Sequence, residues 1–194
     1  MIDIHERGAD CLGEYATVPI AYTVRTMLVP APIAGGLGGI ALREEPVEPP
    51  YVKDYDAAPG GLPTTWQREW DLSNWGFYLA RDAAGAVVGA AAVAFETPAV
   101  NMLEGRPDLA VLWDIRVDPG HRGRGIGARL FAAAARWARA RGCTQLKVET
   151  QNVNVPACRF YTAMGCHLGA IHRYGYAGRP HVAGETMLLW YRDL

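Results

Sequence analysis

From Trp75 onward the apolar positions of this chain fall into short blocks with two different periods. "WGFYLARD" (Trp75–Asp82) and "AVVGAAAVAFE" (Ala86–Glu96) are rich in β-branched, aromatic and small residues, and Ala84-Gly85 between them is a turn signal, so the pair predicts a hairpin. "VLWDIRV" (Val111–Val117) predicts another strand. The period then changes. Ile126, Leu130, Ala133, Ala134 and Trp137 share one helical stripe, Arg129, Arg136 and Arg139 another, and Gly142 is a stop signal. "QLKVETQ" (Gln145–Gln151) returns to strand character. Asn154 reads as an N-cap, with Pro156 in the first turn of a second helix and Gly165 just past its end. Two final strands are expected near His167–Tyr176 and Glu185–Trp190.

The order of elements is antiparallel strands, one strand–helix–strand unit with parallel strands, a helix and a closing hairpin. It predicts an α/β (α+β) fold with a mixed central sheet of about seven strands. The opening third is expected to be mostly irregular. Pro30 to Pro63 holds seven prolines and six glycines, with a strand-like piece in "GGIALREEPVE" and a first strand in "AYTVRTMLV" (Ala21–Val29). A length of 194 residues suits a single domain, residues 1–194, in which about 1–63 form an irregular segment on the substrate side and 64–194 the core.

Composition narrows the function classes. Half of the residues are apolar and a fifth charged, as in soluble globular proteins. A net charge of −1 gives no reason to expect nucleic-acid binding. Seventeen of the nineteen basic residues are arginine, and seven of those fall between Arg116 and Arg141, so the positive charge is local. Cys11, Cys143, Cys158 and Cys166 form no metal-type spacing, and no metal is expected. The charged opening "MIDIHERGAD" is unlike a signal peptide, and the longest uncharged stretch, Ala83–Phe95, is too short to span a bilayer. The expectation is a reduced, cytoplasmic protein with no membrane partner.

The stretch that carries chemistry is "VDPGHRGRGIGARL" (Val117–Leu130). Three glycines alternate with arginines where a strand gives way to a helix. The first N–H groups of a helix lack partners, and glycines let an anion approach the bare backbone, so this turn suits a pyrophosphate, with Arg122 and Arg124 adding charge-assisted hydrogen bonds. "GRGIGA" (Gly123–Ala128) also matches the dinucleotide fingerprint, with Glu149 about 20 residues further on. Against that reading, "DPGHR" separates the first glycine from the strand, and too few βα units can follow.

"RGRGIG" (Arg122–Gly127) after "IRVDP", together with "NVPACRFYTAMGC" (Asn154–Cys166), resembles the two cofactor segments of the GCN5-related N-acetyltransferases, the GNAT family. The resemblance covers roughly Tyr78 to Leu194. "PPYVKDYD" (Pro49–Asp56), "WDIRVDPGHRGRGIG", "ARWA", "ETQNVNVPAC" and "GETMLLWY" (Gly184–Tyr191) are similar to the streptothricin acetyltransferases within it. That resemblance implies a GNAT fold with strands splayed at an acetyl-CoA site. It implies that Arg122, Gly123, Arg124, Gly125, Ile126 and Gly127 hold the pyrophosphate, that the backbone of Ile115 and Val117 binds the pantetheine, and that Asn154 contacts the cofactor arm. Tyr161 matches the acid that protonates the leaving thiolate. Asn154 read alone is equally a helix cap, and Tyr161 alone a core aromatic.

Transfer also needs a neutral amine. A lysine-like amine with a pKa of about 10.4 is deprotonated in about one molecule in 10³ near pH 7, a handicap of about 4 kcal/mol. Relatives often carry a glutamate where this chain has Trp113, so the usual base is in doubt. Asp114 and Glu149, and also Glu185, are candidates, each equally readable as a structural partner. Asp54, Asp56, Trp113 and Glu185 are the expected acceptor-side residues, although Asp54 and Asp56 also read as solvated loop charges. The implied reaction is direct acetyl transfer to a cationic small-molecule amine, with streptothricin-type antibiotics first. A protein N-terminus, a lysine or a polyamine is the alternative acceptor, and a non-catalytic acyl-CoA binder the alternative of another class. A homodimer is left open.

Overall fold

Buried strands built from small residues set the frame. In the computed structural model, which describes residues 2–194, β4 (Gly76–Arg81) and β5 (Val87–Ala94) form the expected hairpin, with Gly85 at φ +85° in its turn. β5 is apolar on both faces because both are covered. Ala90, Ala92 and Ala94 face a cluster with Phe77, Leu79, Tyr15 and Trp66. On the other face Gly89 lies under Ile126 and Leu130 of helix α2 (Ile126–Ala140), close enough that a Cβ there would sit 3.0 Å from Ile126 Cγ2. The α2 stripe is the expected one: Ile126, Leu130, Ala133, Ala134 and Trp137 are buried, while Arg129 and Arg139 are exposed. β6 (Leu109–Val117) precedes α2, and β7 (Gln145–Gln151) follows it and pairs parallel with β6.

Seven strands form one mixed sheet in the order β1-β4-β5-β6-β7-β9-β8, where β1 is Asp3–Arg7, β8 His167–His172 and β9 Met187–Asp193. β2 (Tyr22–Pro32) and β3 (Ile40–Lys53) make a separate antiparallel ribbon. The ribbon contains both strand pieces expected in the opening third, and its full length together with β1 corrects the expectation that this third is mostly irregular. β3 runs for 14 residues through Pro46, Pro49 and Pro50. In a two-stranded ribbon each strand needs a ladder on only one edge, so a proline costs less than in a central strand, and the register is broken between Val24 and Thr26, opposite these prolines. β1 is an edge strand, which charged side chains suit. Its Glu6 accepts from Trp137 Nε1 at 3.0 Å and from the Tyr78 hydroxyl at 3.3 Å. β8 starts at the expected His167 but stops at His172, and β9 starts and ends later than expected, since residues 173–186 are taken up largely by turns.

By internal contacts the chain divides into two compact units: the residues through Ala21 with Asp54–Val148 and Arg192–Leu194, and Tyr22–Lys53 with Glu149–Tyr191. The second unit contains the ribbon and helix α3 (Val155–Ala163), and is tied together by Asn152. Asn152 is buried, and its backbone and side chain exchange four hydrogen bonds of 2.8–2.9 Å with the backbone of Leu28 and Thr186. All four cysteines are free and buried.

The packing of β4 against α2 yields a stability test. An alanine Cβ at Gly76 would lie 2.5 Å from Trp137 Cε2. That ring is pinned by Glu6 and by the Arg141 guanidinium 3.6 Å from its centroid, so it cannot swing aside. Gly76→Ala is expected to cost about 1–3 kcal/mol through overpacking, read as a lowered midpoint in thermal or denaturant unfolding.

Candidate active site

The glycine-rich turn is built by the end of β6. Beyond Val117, Asp118 accepts from Gly120 N–H at 2.9 Å and pairs with His121 Nδ1 at 2.8 Å, which shapes a single 3-10 turn over Pro119–His121. The His121 bond, the largest effect, together with the Gly120 amide outweighs partial burial and holds the Asp118 carboxyl below its ordinary range. Arg122 then folds back: its Nε donates to Val117 O at 3.1 Å and its Nη2 to Ala21 O at 3.4 Å. This arginine fastens the turn as well as charging it. Gly123 and Gly125 have φ of +75° and +76°, and a Cβ on either would meet no atom within 4 Å. Gly125 occupies the N-cap of α2 with no side-chain cap, Ile126 is buried beneath it, and Arg124 is exposed. Open space in front of an uncapped helix N-terminus of 15 residues fits a phosphate group.

The adjoining strand edge fits the rest of an extended ligand. Asp118 N–H donates to Val88 O on the β5 side. Alternation then turns the backbone groups of Ile115 and Val117 toward the opposite edge. On that edge the ladder with β7 covers Leu109↔Gln145 to Val111↔Lys147 and ends there.

Between these two features β6 carries a bulge. Its register with β5 steps from Ala92↔Asp114 to Val93↔Leu112, which leaves Trp113 as the extra residue. The bulge resets the alternation, so Val111, Trp113, Asp114 and Arg116 all reach the face occupied by Tyr15 and the tryptophans. Trp113 packs against Trp70, Trp75 and Trp66 at centroid distances of 4.7, 5.3 and 6.5 Å. Asp114 is held by three donors: the Tyr15 hydroxyl at 2.6 Å and Arg116 Nε at 2.9 Å on Oδ1, and Arg116 Nη2 at 2.8 Å on Oδ2. The same guanidinium, 1% exposed, forks onto both oxygens of Asp56 at 2.9 and 3.1 Å and donates to Val18 O at 3.1 Å. Burial alone would lower the Arg116 pKa, but the Asp114 charge and hydrogen bond and the Asp56 bond outweigh it and hold the guanidinium protonated. Burial, reinforced by the Asp114 charge, keeps the Tyr15 hydroxyl protonated as a donor. Asp54 is exposed and accepts from Asp56 N–H at 3.0 Å, which closes the loop turn. The structure therefore brings Asp56 and Asp114 together around one cation and leaves Asp54 on the surface.

The other expected residues lie in the second unit. Asn154 Oδ1 accepts from Ala157 N–H at 3.2 Å, so it does cap α3. Tyr161 is buried on that helix, with Phe160 and Trp190 at 5.5 and 6.5 Å between ring centroids. Glu149 Oε1 accepts from the hydroxyl of the fully buried Tyr176 at 2.6 Å. Glu185 pairs with Lys53, both side chains nearly buried. Its Oε2 has no hydrogen-bond partner among the described residues. Burial, then the Glu185 charge, raises the Tyr51 hydroxyl pKa.

Comparisons with known proteins give the family. The model of the acetyltransferase (GNAT) family matches residues 41–166. The chain belongs to the GNAT family. It is 42% identical over 84 residues to a streptothricin acetyltransferase of Escherichia coli (43% of this chain, 48% of the relative). It is 38% identical over 127 residues to one of Streptomyces lavendulae (66% of this chain, 62% of the relative). Those matches span less than two thirds of either relative's length. A crystal structure of a nourseothricin acetyltransferase superposes with a TM-score of 0.77 at 25% identity, covering 99% of this chain and 98% of that one.

In this GNAT chain the residues that sequence reasoning passed over are Tyr15, Lys53, Arg116 and Tyr176. Only Arg116 left a local signal: in "DIR" an acid and a base two apart on a strand share a face. Its removal is the decisive test of the network. Arg116→Met would leave Asp114 and Asp56, whose side chains are 9% and 16% exposed, facing each other without a cation. A stability loss of about 3–5 kcal/mol is expected. Urea unfolding of the variant against the unaltered chain measures it.

Proposed function

We propose that this chain is an acetyl-CoA-dependent N-acetyltransferase whose acceptor is the primary amine of a cationic small molecule of the streptothricin type. The observation that carries the donor half is the uncapped, glycine-lined start of α2 beside the β6 edge that its ladder with β7 leaves beyond Val111. Amides of Arg122–Gly127 take the pyrophosphate, Arg124 adds charge, and the backbone of Ile115 and Val117 pairs with the pantetheine in the manner of an added strand. The acceptor half is supported by the streptothricin and nourseothricin acetyltransferases to which the chain is similar.

In the proposed reaction the neutral amine attacks the thioester carbonyl, the new C–N bond replaces the C–S bond, and the thiolate leaves. Tyr161 supplies the proton that the thiolate takes up, and Asn154 orients the cofactor arm while capping α3. The amine proton needs an acceptor. Asp114 is spent on Arg116 and Tyr15, which makes it a positioning residue for the bulge. Glu149, held by Tyr176 through one oxygen, serves as the base, directly or through a water. The unpartnered Oε2 of Glu185 receives an ammonium group of the acceptor, and Trp113 contacts the acceptor from the bulge. Asp56 acts indirectly, by anchoring its loop to Arg116, and Asp54 contributes long-range attraction.

Thiol release from acetyl-CoA with a panel of streptothricin, a lysine peptide and a polyamine tests the reading. Release with streptothricin alone is expected. Release with the peptide alone moves the acceptor to the alternative class, and binding without release makes the chain an acyl-CoA binder. Gly125→Asn keeps a residue that tolerates positive φ and caps helices, but fills the open space. It should weaken acetyl-CoA at least about 10-fold in calorimetry with the fold intact. Tyr161→Phe should lower kcat about 10²-fold with little change in acetyl-CoA affinity; an unchanged kcat would leave Tyr161 a packing residue.

A further inference from the structure

A cavity of about 430 Å³ opens in the first unit, walled by Trp70, Trp75 and Leu72 and rimmed by Gln67, Asp71 and Ser73. We propose that it is a cation subsite, which takes a planar, delocalised cation such as a guanidinium group carried by the acceptor at a distance from its reacting amine. The inference rests on the acceptor reading above for what enters the cavity, and on this geometry for the chemistry.

Four of the six tryptophans of the chain gather here. Trp66 and Trp75 are buried as ordinary core. Trp70 and Trp113 stay partly exposed, with their rings in contact at 4.7 Å. Trp70 and Trp75 both line the cavity, with their rings 6.3 Å apart and planes 29° from parallel, and Trp70 is the more exposed of the two. An indole face attracts a cation, and a guanidinium is weakly hydrated and stacks flat on it. Asp71 supplies the opposite charge at the rim, where Ser73 N–H donates to its Oδ1 at 2.9 Å and holds the carboxylate in place. A carboxylate at the rim of an indole-lined cavity distinguishes a cation from a neutral group of the same shape.

The cavity also stands at the correct end of β6. Trp75 immediately precedes β4, whose first residue is level, through Val93, with Leu112. The glycine turn follows Val117 at the other end of the strand. A donor laid along Ile115 and Val117 brings its reacting end toward the bulge from one side. The acceptor must then approach from the other, and Trp113 is the side chain that connects the bulge to the cavity wall.

Two measurements test this. In the first, tryptophan fluorescence follows titration with arginine amide and, at equal millimolar concentrations, with urea, a neutral group of guanidinium shape. Saturable quenching by arginine amide alone is expected, weakened at least about 5-fold in Asp71→Asn, an exposed substitution that leaves the core intact. Equal responses to the two probes, or an unchanged affinity in Asp71→Asn, overturn the inference. In the second, kcat/KM for streptothricin is compared with that for a short alkylamine. Trp70→Ala should lower the ratio about 10-fold through KM, and Trp70→Phe, which keeps an aromatic face, should restore most of it. Equal losses on both acceptors would make Trp70 structural and overturn the subsite. A wild-type chain that acetylates no amine yet binds arginine amide through Asp71 would defeat the proposed function and leave the cation site standing. An active chain indifferent to both probes would do the reverse.

Discussion

A strand sends its side chains alternately to two faces, and β6 departs from that rule once, at Trp113. Everything distinctive about the first unit depends on that extra residue. Without it, Trp113 and Asp114 would point to opposite faces, one into the aromatic layer and the other under α2. With it, an apolar ring and an ion pair share one face, and the strand still delivers Val117 to the glycine turn. The ion pair is what makes the arrangement tolerable. A lone carboxylate at Asp114 would be costly so far from water, but Arg116 lies two residues along and Tyr15 closes over it. Asp56 takes the remaining donors of the guanidinium and ties the loop after β3 to the same spot.

The second unit solves a different problem. A ribbon of two strands is barely stable by itself, and this one carries prolines and exposed side chains at Ile33, Leu37 and Val52. Asn152 fastens it with main-chain partners on Leu28 and Thr186, and the Arg159–Glu44 pair at 2.6 Å joins α3 to the ribbon at the surface. Buried groups with every bond made give such an attachment a unique register as well as strength.

The parts of this protein that could be read in advance are those whose cause is local. Gly142 and Gly165, both at positive φ, end helices where the apolar stripe stops, and β7 was bounded to the residue by the change in period. The glycine turn was legible because positive φ is a demand on the backbone that few residues other than glycine meet. β1 was not legible, since an edge strand needs no apolar alternation, and β3 was legible only as the strand-like piece of residues 38–48, because the prolines argued against a longer strand where only one ladder had to form. The partners of the candidate site residues were hidden for another reason. Tyr15 meets Asp114 across 99 positions and Lys53 meets Glu185 across 132, and no pattern along the chain announces such pairs. For want of that information the sequence left Asp114 equally readable as a base and as a structural partner.

The four cysteines have a consequence for chemistry in solution. Burial pushes the Cys11 thiol up to about 11 and Cys158 to about 12, and raises Cys143 as well. Exchange with a disulfide or attack by an oxidant runs through the thiolate, and for thiols this weakly acidic the thiolate is roughly one part in 10⁴ or less at neutral pH. These side chains therefore behave as apolar packing. Glutathione disulfide and mild peroxide are expected to meet little thiolate at Cys11 or Cys158 while the fold holds, and no disulfide ties the four buried cysteines to one another.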